Sequence, residues 1–241
     1  MNDRDLPLSK DGTIIGMYLG WVIPDTNKWE ALLKLTKSSL GYHINFTSIC
    51  IDLFKNYQGI ARFLNVSNLE LEYIYPTVPY VFKSRIPVER VDIGEACKNL
   101  GLSYPGIDSF AFMARTGGRI HADPFSVCPI LTPNADGDYE FYCDISTCKE
   151  LQEHWYSFTK ESKLECHKGL VSVQLSGDNT RYPVILPDFF TRLEGSIDRA
   201  EILTISQPSA FGVDILAKVV LSSANPYSGS NFSLLKDLVR L

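Results

Sequence analysis

Between residues 211 and 221 every second position is apolar: Phe211, Val213, Ile215, Ala217, Val219 and Leu221. A two-residue period puts such side chains on one face of an extended strand, so this stretch must lie against an apolar layer. Val171, Val173 and Leu175 alternate in the same way, and Ala200 to Ile205 is apolar. Between these runs, Asp188 to Glu194 reads as one short helix stopped by Gly195. The stretch is a strand-rich unit of about sixty residues, the size of a small barrel or an open sheet. Its expected bounds are 165–225, with a closing helix over 231–241.

Upstream the texture is mixed. Thr13 to Ile23 is β-prone and reads as a strand. Pro24, Asp25 and Thr26 then open an expected helix, with Trp29, Leu32, Leu33, Thr36 and Leu40 at helical spacing and Gly41 as its stop. Tyr42 to Thr47 reads as a strand. Ile51, Phe54, Ala61 and Leu64 mark an amphipathic stretch. Residues 69–82 carry Pro76 and Pro79 and read as extended segments and turns. A short helix follows, capped by Asp92 with Glu95 three residues on, and stopped at Gly101. Gly117 and Gly118 mark a turn, and Asn134-Ala135-Asp136-Gly137 signals a hairpin before a strand at Tyr139 to Cys143. Residues 150–168 read as a linker or a helix. The expected fold is therefore α+β: a mixed domain over 13–150 and a small strand-rich, barrel-like C-terminal module.

With 45% hydrophobic and 21% charged residues, the chain can bury a core and is unsuited to wholesale disorder. Its formal net charge of −5 argues against a broad electrostatic grip on nucleic acid, although a local basic patch is compatible with it. The first residues, MNDRDLPLSKDG, lack the apolar core of a secretory signal, and no apolar run is long enough to span a bilayer. The expectation is a soluble, cytoplasmic protein with no membrane association and its six cysteines reduced.

The densest polar cluster is Arg115-Thr116-Gly117-Gly118-Arg119-Ile120-His121-Ala122-Asp123. Two arginines, amides freed by paired glycines and a histidine suit an anion such as a phosphate or a nucleic-acid end. The competing reading is a solvated turn whose arginines pair with Asp108 or Asp123. Lys83 and Arg85 alternate onto one face of an expected strand and could join the patch, or form a rim balanced by Glu89 and Asp92. His121 with Asp123 and Arg119 forms only a weak hydrolase or nuclease candidate, since no nucleophile accompanies them. Cys143, Cys148, Cys166 and His167 have poor zinc spacing, and Cys128 sits in an apolar run that suits a buried thiol. No catalytic residue, metal site or cofactor motif is read.

Three segments together resemble bacterial HIRAN-domain proteins: FKSRIPVERVDIGEACKNLGL (82–102), IDSFAFMARTGGRIHADPFSVCPI (107–130) with the ADGDYEFYC stretch after it, and LSGDNTRYPVILPDFFTRLEGSI (175–197). The opening LGWVIPDTNKW is similar too. The resemblance implies a barrel-like C-terminal module that grips a DNA end by base stacking and phosphate contacts. Arg181, Tyr182, Phe189, Phe190 and Arg192 offer that chemistry here. The expected function is a non-enzymatic recognition module for single-stranded DNA or a DNA end, or for a partner protein, with DNA repair or mobile-element defence as its setting. A pure protein-interaction subunit is the alternative, carried by the aromatic run Tyr73, Tyr75, Tyr80 and Phe82.

Overall fold

The computed structural model describes residues 6–26, 28–56, 68–86, 93–120, 124–144, 163–167, 170–174, 181–184, 197–205 and 215–221. Contacts divide the chain into two units that interleave in sequence. One comprises Met1–Pro87, Ser109–Thr132 and Tyr227–Leu241, the other Val88–Asp108 and Pro133–Pro226. The architecture is α+β.

The first unit is built on strand β1, Ile14–Ile23, which forms where the sequence places it. Its burial is almost continuous, because β1 has sheet neighbours on both sides and covered faces above and below. It pairs antiparallel with β2, Lys28–Ser38, and with β5, Phe125–Leu131. β3, Gly41–Phe46, and β4, Tyr73–Tyr75, extend the sheet to the order β4-β3-β2-β1-β5. Pro129 lies in β5, an outer strand, where sheets accommodate proline.

β2 replaces the helix expected after Pro24. Trp29, Leu32, Leu33 and Thr36 do have helical spacing, but Trp29, Ala31, Leu33 and Leu35 also alternate and are all buried. The two periods coincide because of a bulge. Leu19 pairs with Leu33 while Gly20 pairs with Ala31, leaving Leu32 as the extra residue. The extra leucine is itself buried, so the strand shows more apolar positions than strict alternation would.

Gly20 explains how Trp29 fits. A Cβ at Gly20 would collide with the Trp29 ring and lie 2.7 Å from the Glu30 carbonyl oxygen. The indole crosses this gap in β1, and its Nε1–H donates to Ser126 Oγ on β5 at 2.8 Å. One side chain thus spans three strands.

Three helices complete the described part of this unit. α1, Ser48–Asn56, begins at Thr47, whose hydroxyl donates to the Ala31 carbonyl at 2.7 Å and accepts the Cys50 N–H at 3.1 Å. α2, Tyr80–Lys83, is a single turn. It corrects the expected strand at Lys83 and Arg85: the single Pro79 carbonyl closes the turn, accepting the N–H groups of both Phe82 and Lys83 at 2.9 Å. α4, Ser109–Thr116, packs against β5 and ends at Gly117 and Gly118, both left-handed at φ 69 and 56. The expected Gly-Gly turn is therefore a helix terminus.

In the second unit, α3, Ile93–Asn99, stops at Gly101 as expected. Leu102 N–H donates to Cys97 O at 2.7 Å and Gly101 N–H to Lys98 O at 3.1 Å, the Schellman pattern. The strands form two antiparallel sheets. β6, Tyr139–Asp144, lies beside β11, Ile215–Leu221, which pairs with β10, Ile197–Ile205. β7, Lys163–His167, pairs with β8, Leu170–Gln174, and β8 with β9, Arg181–Val184. β10 also lies against β7.

The turn at Asn134 forms. Its side-chain oxygen accepts the N–H groups of Asp136 at 3.0 Å and Asp138 at 2.9 Å, and Gly137 sits at φ 82. It does not make a hairpin, because β5 pairs with β1 and β6 with β11. The expected helices at 188–194 and 231–241 lie outside the described residues. No helix among the described residues is long and apolar enough to cross a membrane.

Candidate functional site

The arginine–glycine cluster was the leading site in the sequence, and much of it is turned to structural use. Arg85 is 3% exposed. Its Nη1–H donates to Gly118 O at 2.8 Å and, at 3.4 Å, to Phe125 O, and the guanidinium lies 6.0 Å from the Phe125 ring centroid. Rather than facing a ligand, Arg85 clamps the end of α4 and the start of β5.

Gly117 and Gly118 are likewise buried, and their polar groups are partly engaged. Gly117 O accepts Val127 N–H at 2.7 Å, and Gly118 N–H reaches Thr116 Oγ1 at 3.4 Å. A Cβ on Gly118 would lie 2.9 Å from both Met113 and Val127, so the helix end packs directly on β5.

Arg115 ends α4 near Asp11. The Asp11 carboxyl is held below its ordinary range: desolvation opposes this, but hydrogen bonds from Thr13 and Ser9 and the charge of Arg115 outweigh it. Lys83 and Arg119 are exposed. They flank the Arg85–Gly118 contact in sequence, one two residues before Arg85 and the other directly after Gly118. Arg181 and Tyr182 lie in β9 opposite Gln174 and Val173. His121, Asp123, Phe189, Phe190 and Arg192 lie outside the described residues.

A second polar constellation went unread in the sequence. Ser38, at the end of β2, is 5% exposed and His43, on β3, is 2% exposed. Ser38 Oγ lies 2.6 Å from His43 Nε2, and His43 Nδ1 lies 3.1 Å from Glu72 Oε1. Because the carboxylate can only accept, Nδ1 carries the proton; in the neutral imidazole Nε2 then accepts the Ser38 hydroxyl. Asn45 Nδ2–H also donates to Glu72 Oε1 at 3.3 Å, and Leu40 N–H donates to Ser38 Oγ at 3.0 Å.

The hairpin geometry places these groups. Only Ser39 and Leu40 separate the paired residues Ser38 and Gly41, which brings the end of β2 to the start of β3. Gly41 has φ 132, and a Cβ there would strike the Tyr75 carbonyl oxygen, so only glycine lets β4 pass this closely. His43 pairs with Ile74 across the ladder, and Glu72 is two residues before Ile74 on the same face.

Large apolar side chains are also exposed in these and neighbouring segments. Leu40 is 73% exposed, Leu71 54%, Ile74 48% and Tyr80 79%. Phe82, expected to join this aromatic surface, is buried. Tyr73 is half-buried: its ring meets Phe46 edge-on at 6.0 Å and its hydroxyl donates to Asn68 O at 2.8 Å.

Cys50, Cys97 and Cys128 are buried free thiols. Burial pushes Cys50 up to about 12 and Cys128 well above the usual thiol range. Cys143 and Cys166 belong to different sheets, in β6 and β7. Among the described residues, no group of three His, Cys, Asp or Glu is placed to hold a metal ion.

Comparison of the chain with family models, curated proteins and solved structures finds no match in any of the three.

Proposed function

We infer that the protein is a recognition module whose first unit docks a partner protein. The observation that carries this is the exposure of Ile74 on the outermost strand β4 and of Leu40 in the loop beside its end, where Gly41 meets Tyr75, with Tyr80 exposed soon after β4 ends. Large apolar side chains left in water on an outer strand and the loop beside it favour contact with another surface. The hydrogen bonds from His43 and Asn45 to Glu72 hold the approach to β4 to the sheet, so little ordering remains to be done on binding.

The test compares wild type with Ile74→Lys and Tyr80→Ser by quantitative affinity purification. A protein recovered at least about tenfold better with wild type, while the thermal midpoints agree, supports the reading; the factor corresponds to about 1.4 kcal/mol of lost contact. Equal recovery removes it.

A second reading, binding of a nucleic-acid end, is favoured by Lys83 and Arg119, both exposed on segments joined by Arg85. It belongs with the HIRAN resemblance and a barrel-like C-terminal module, to which the placement of β10 against β7 lends support. Titration of labelled single-stranded DNA at low and moderate salt tests it. Binding that weakens with salt, and is lost in the Lys83→Glu, Arg119→Glu double variant, supports it. Salt-independent background binding removes it.

A further inference from the structure

We propose that Ser38 is an activated nucleophile and that Ser38, His43 and Glu72 form an ester-cleaving site in the first unit, which shares the exposed Leu40 and Ile74 with the recognition surface above but whose chemistry does not rest on that reading. The three groups stand in the order this chemistry requires: hydroxyl on Nε2 at 2.6 Å, carboxylate on Nδ1 at 3.1 Å. Glu72 acts as a positioning residue, fixing the tautomer that leaves Nε2 free to take a proton. Asn45 in turn holds the carboxylate, through its Nδ2–H at 3.3 Å.

The serine oxygen is also suitably prepared. Of its two lone pairs, one accepts Leu40 N–H at 3.0 Å, which favours negative charge on the oxygen. The other remains for attack. With Ser38 5% and His43 2% exposed, the proton transfer takes place away from bulk water, where such interactions are stronger.

The reaction balances without any co-reactant except water. Oγ attacks the ester carbonyl carbon and its proton passes to His43 Nε2. The carbon–oxygen bond to the alcohol breaks as the imidazolium returns that proton to the leaving oxygen. Water then attacks the acyl-serine, giving one proton to Nε2 and later restoring the Ser38 hydroxyl, and a carboxylic acid departs. Glu72 stays ionised throughout. Leu40, two residues from Ser38, and Ile74, paired with His43 across the ladder, are exposed and favour an ester with a short aliphatic acyl chain.

The probe is an alkyl fluorophosphonate applied to the full chain, followed by peptide mass spectrometry, with p-nitrophenyl butyrate for turnover. Ser39, the exposed neighbour, is the internal control for an unactivated hydroxyl. The expected result is labelling of Ser38 at least about 100-fold faster than Ser39, in line with base assistance. Labelling and turnover are lost in Ser38→Ala and cut by about 100-fold in His43→Gln. Glu72→Gln alters the pH dependence of labelling, and Glu72→Asp restores part of the rate, which a purely structural role would not produce. Equal labelling of Ser38 and Ser39 in the wild-type chain, or none of Ser38, overturns the proposal without reliance on any variant's folding.

Discussion

Replacing Arg85 by methionine separates a structural arginine from one waiting for a ligand. Methionine keeps the length and apolar volume of the stem and removes the guanidinium. The lost bond to Gly118 O at 2.8 Å has a charged donor in a site 3% exposed, and bonds of this kind contribute about 1.5–3 kcal/mol. The longer contact to Phe125 O at 3.4 Å adds little. The cation–π contact with Phe125 contributes about 0.5–1 kcal/mol. Against this, methionine avoids the cost of burying a charge. The expected net loss is about 1–3 kcal/mol, against less than about 0.5 kcal/mol for the exposed Lys83→Met. The assay is urea unfolding followed by tryptophan fluorescence, since Trp21 and Trp29 sit in β1 and β2 of the same unit. An Arg85→Met midpoint equal to that of Lys83→Met would refute the clamp and return Arg85 to the candidate ligand groups.

Other outcomes follow from the same coordinates. Gly20→Ala must displace the Trp29 ring or the Glu30 carbonyl, so it should cost about 3 kcal/mol, the upper end of what core overpacking costs, and lower the thermal midpoint accordingly. Glu140 accepts a hydrogen bond from Lys218 at 2.9 Å, and this holds its carboxyl below the ordinary value. A depressed folded-state pKa gives stability that is present above the unfolded value and lost as pH falls through the folded one. Lys218→Met should therefore remove about 0.5 kcal/mol at neutral pH and nothing below the folded pKa of Glu140, measured by urea midpoints across pH. Cys50 and Cys128 should resist iodoacetamide at pH 8 in the folded protein and react fully in denaturant, as read by peptide mass spectrometry, because burial holds both thiols protonated.

What the sequence shows and what it hides divide by range. β1, β3, the Gly101 helix stop and the Asn134 turn are governed by neighbours within a few residues, and each forms where its residues place it. β2 was misread because one bulge at Leu32 superposes a helical spacing on a strand, and pairing with β1 decides between them. Arg85 looked like a surface cation because its partner Gly118 lies 33 positions away. The Trp29–Ser126 bond spans 97 positions and the His43–Glu72 bond 29, so neither has a local signature. A lone Ser38 and a lone His43 five residues on give no motif; only the two-residue hairpin loop brings them together.

Central to this account is the exposed apolar surface at β4. The most direct measurement places a photo-cross-linking amino acid at Ile74 in the full chain, with the exposed Lys98 of α3 as control. The account predicts one discrete adduct from position 74 that disappears when Leu40→Glu and Tyr80→Glu are added, and none from position 98. A smear of equal intensity from both positions, or no adduct from position 74, would contradict it.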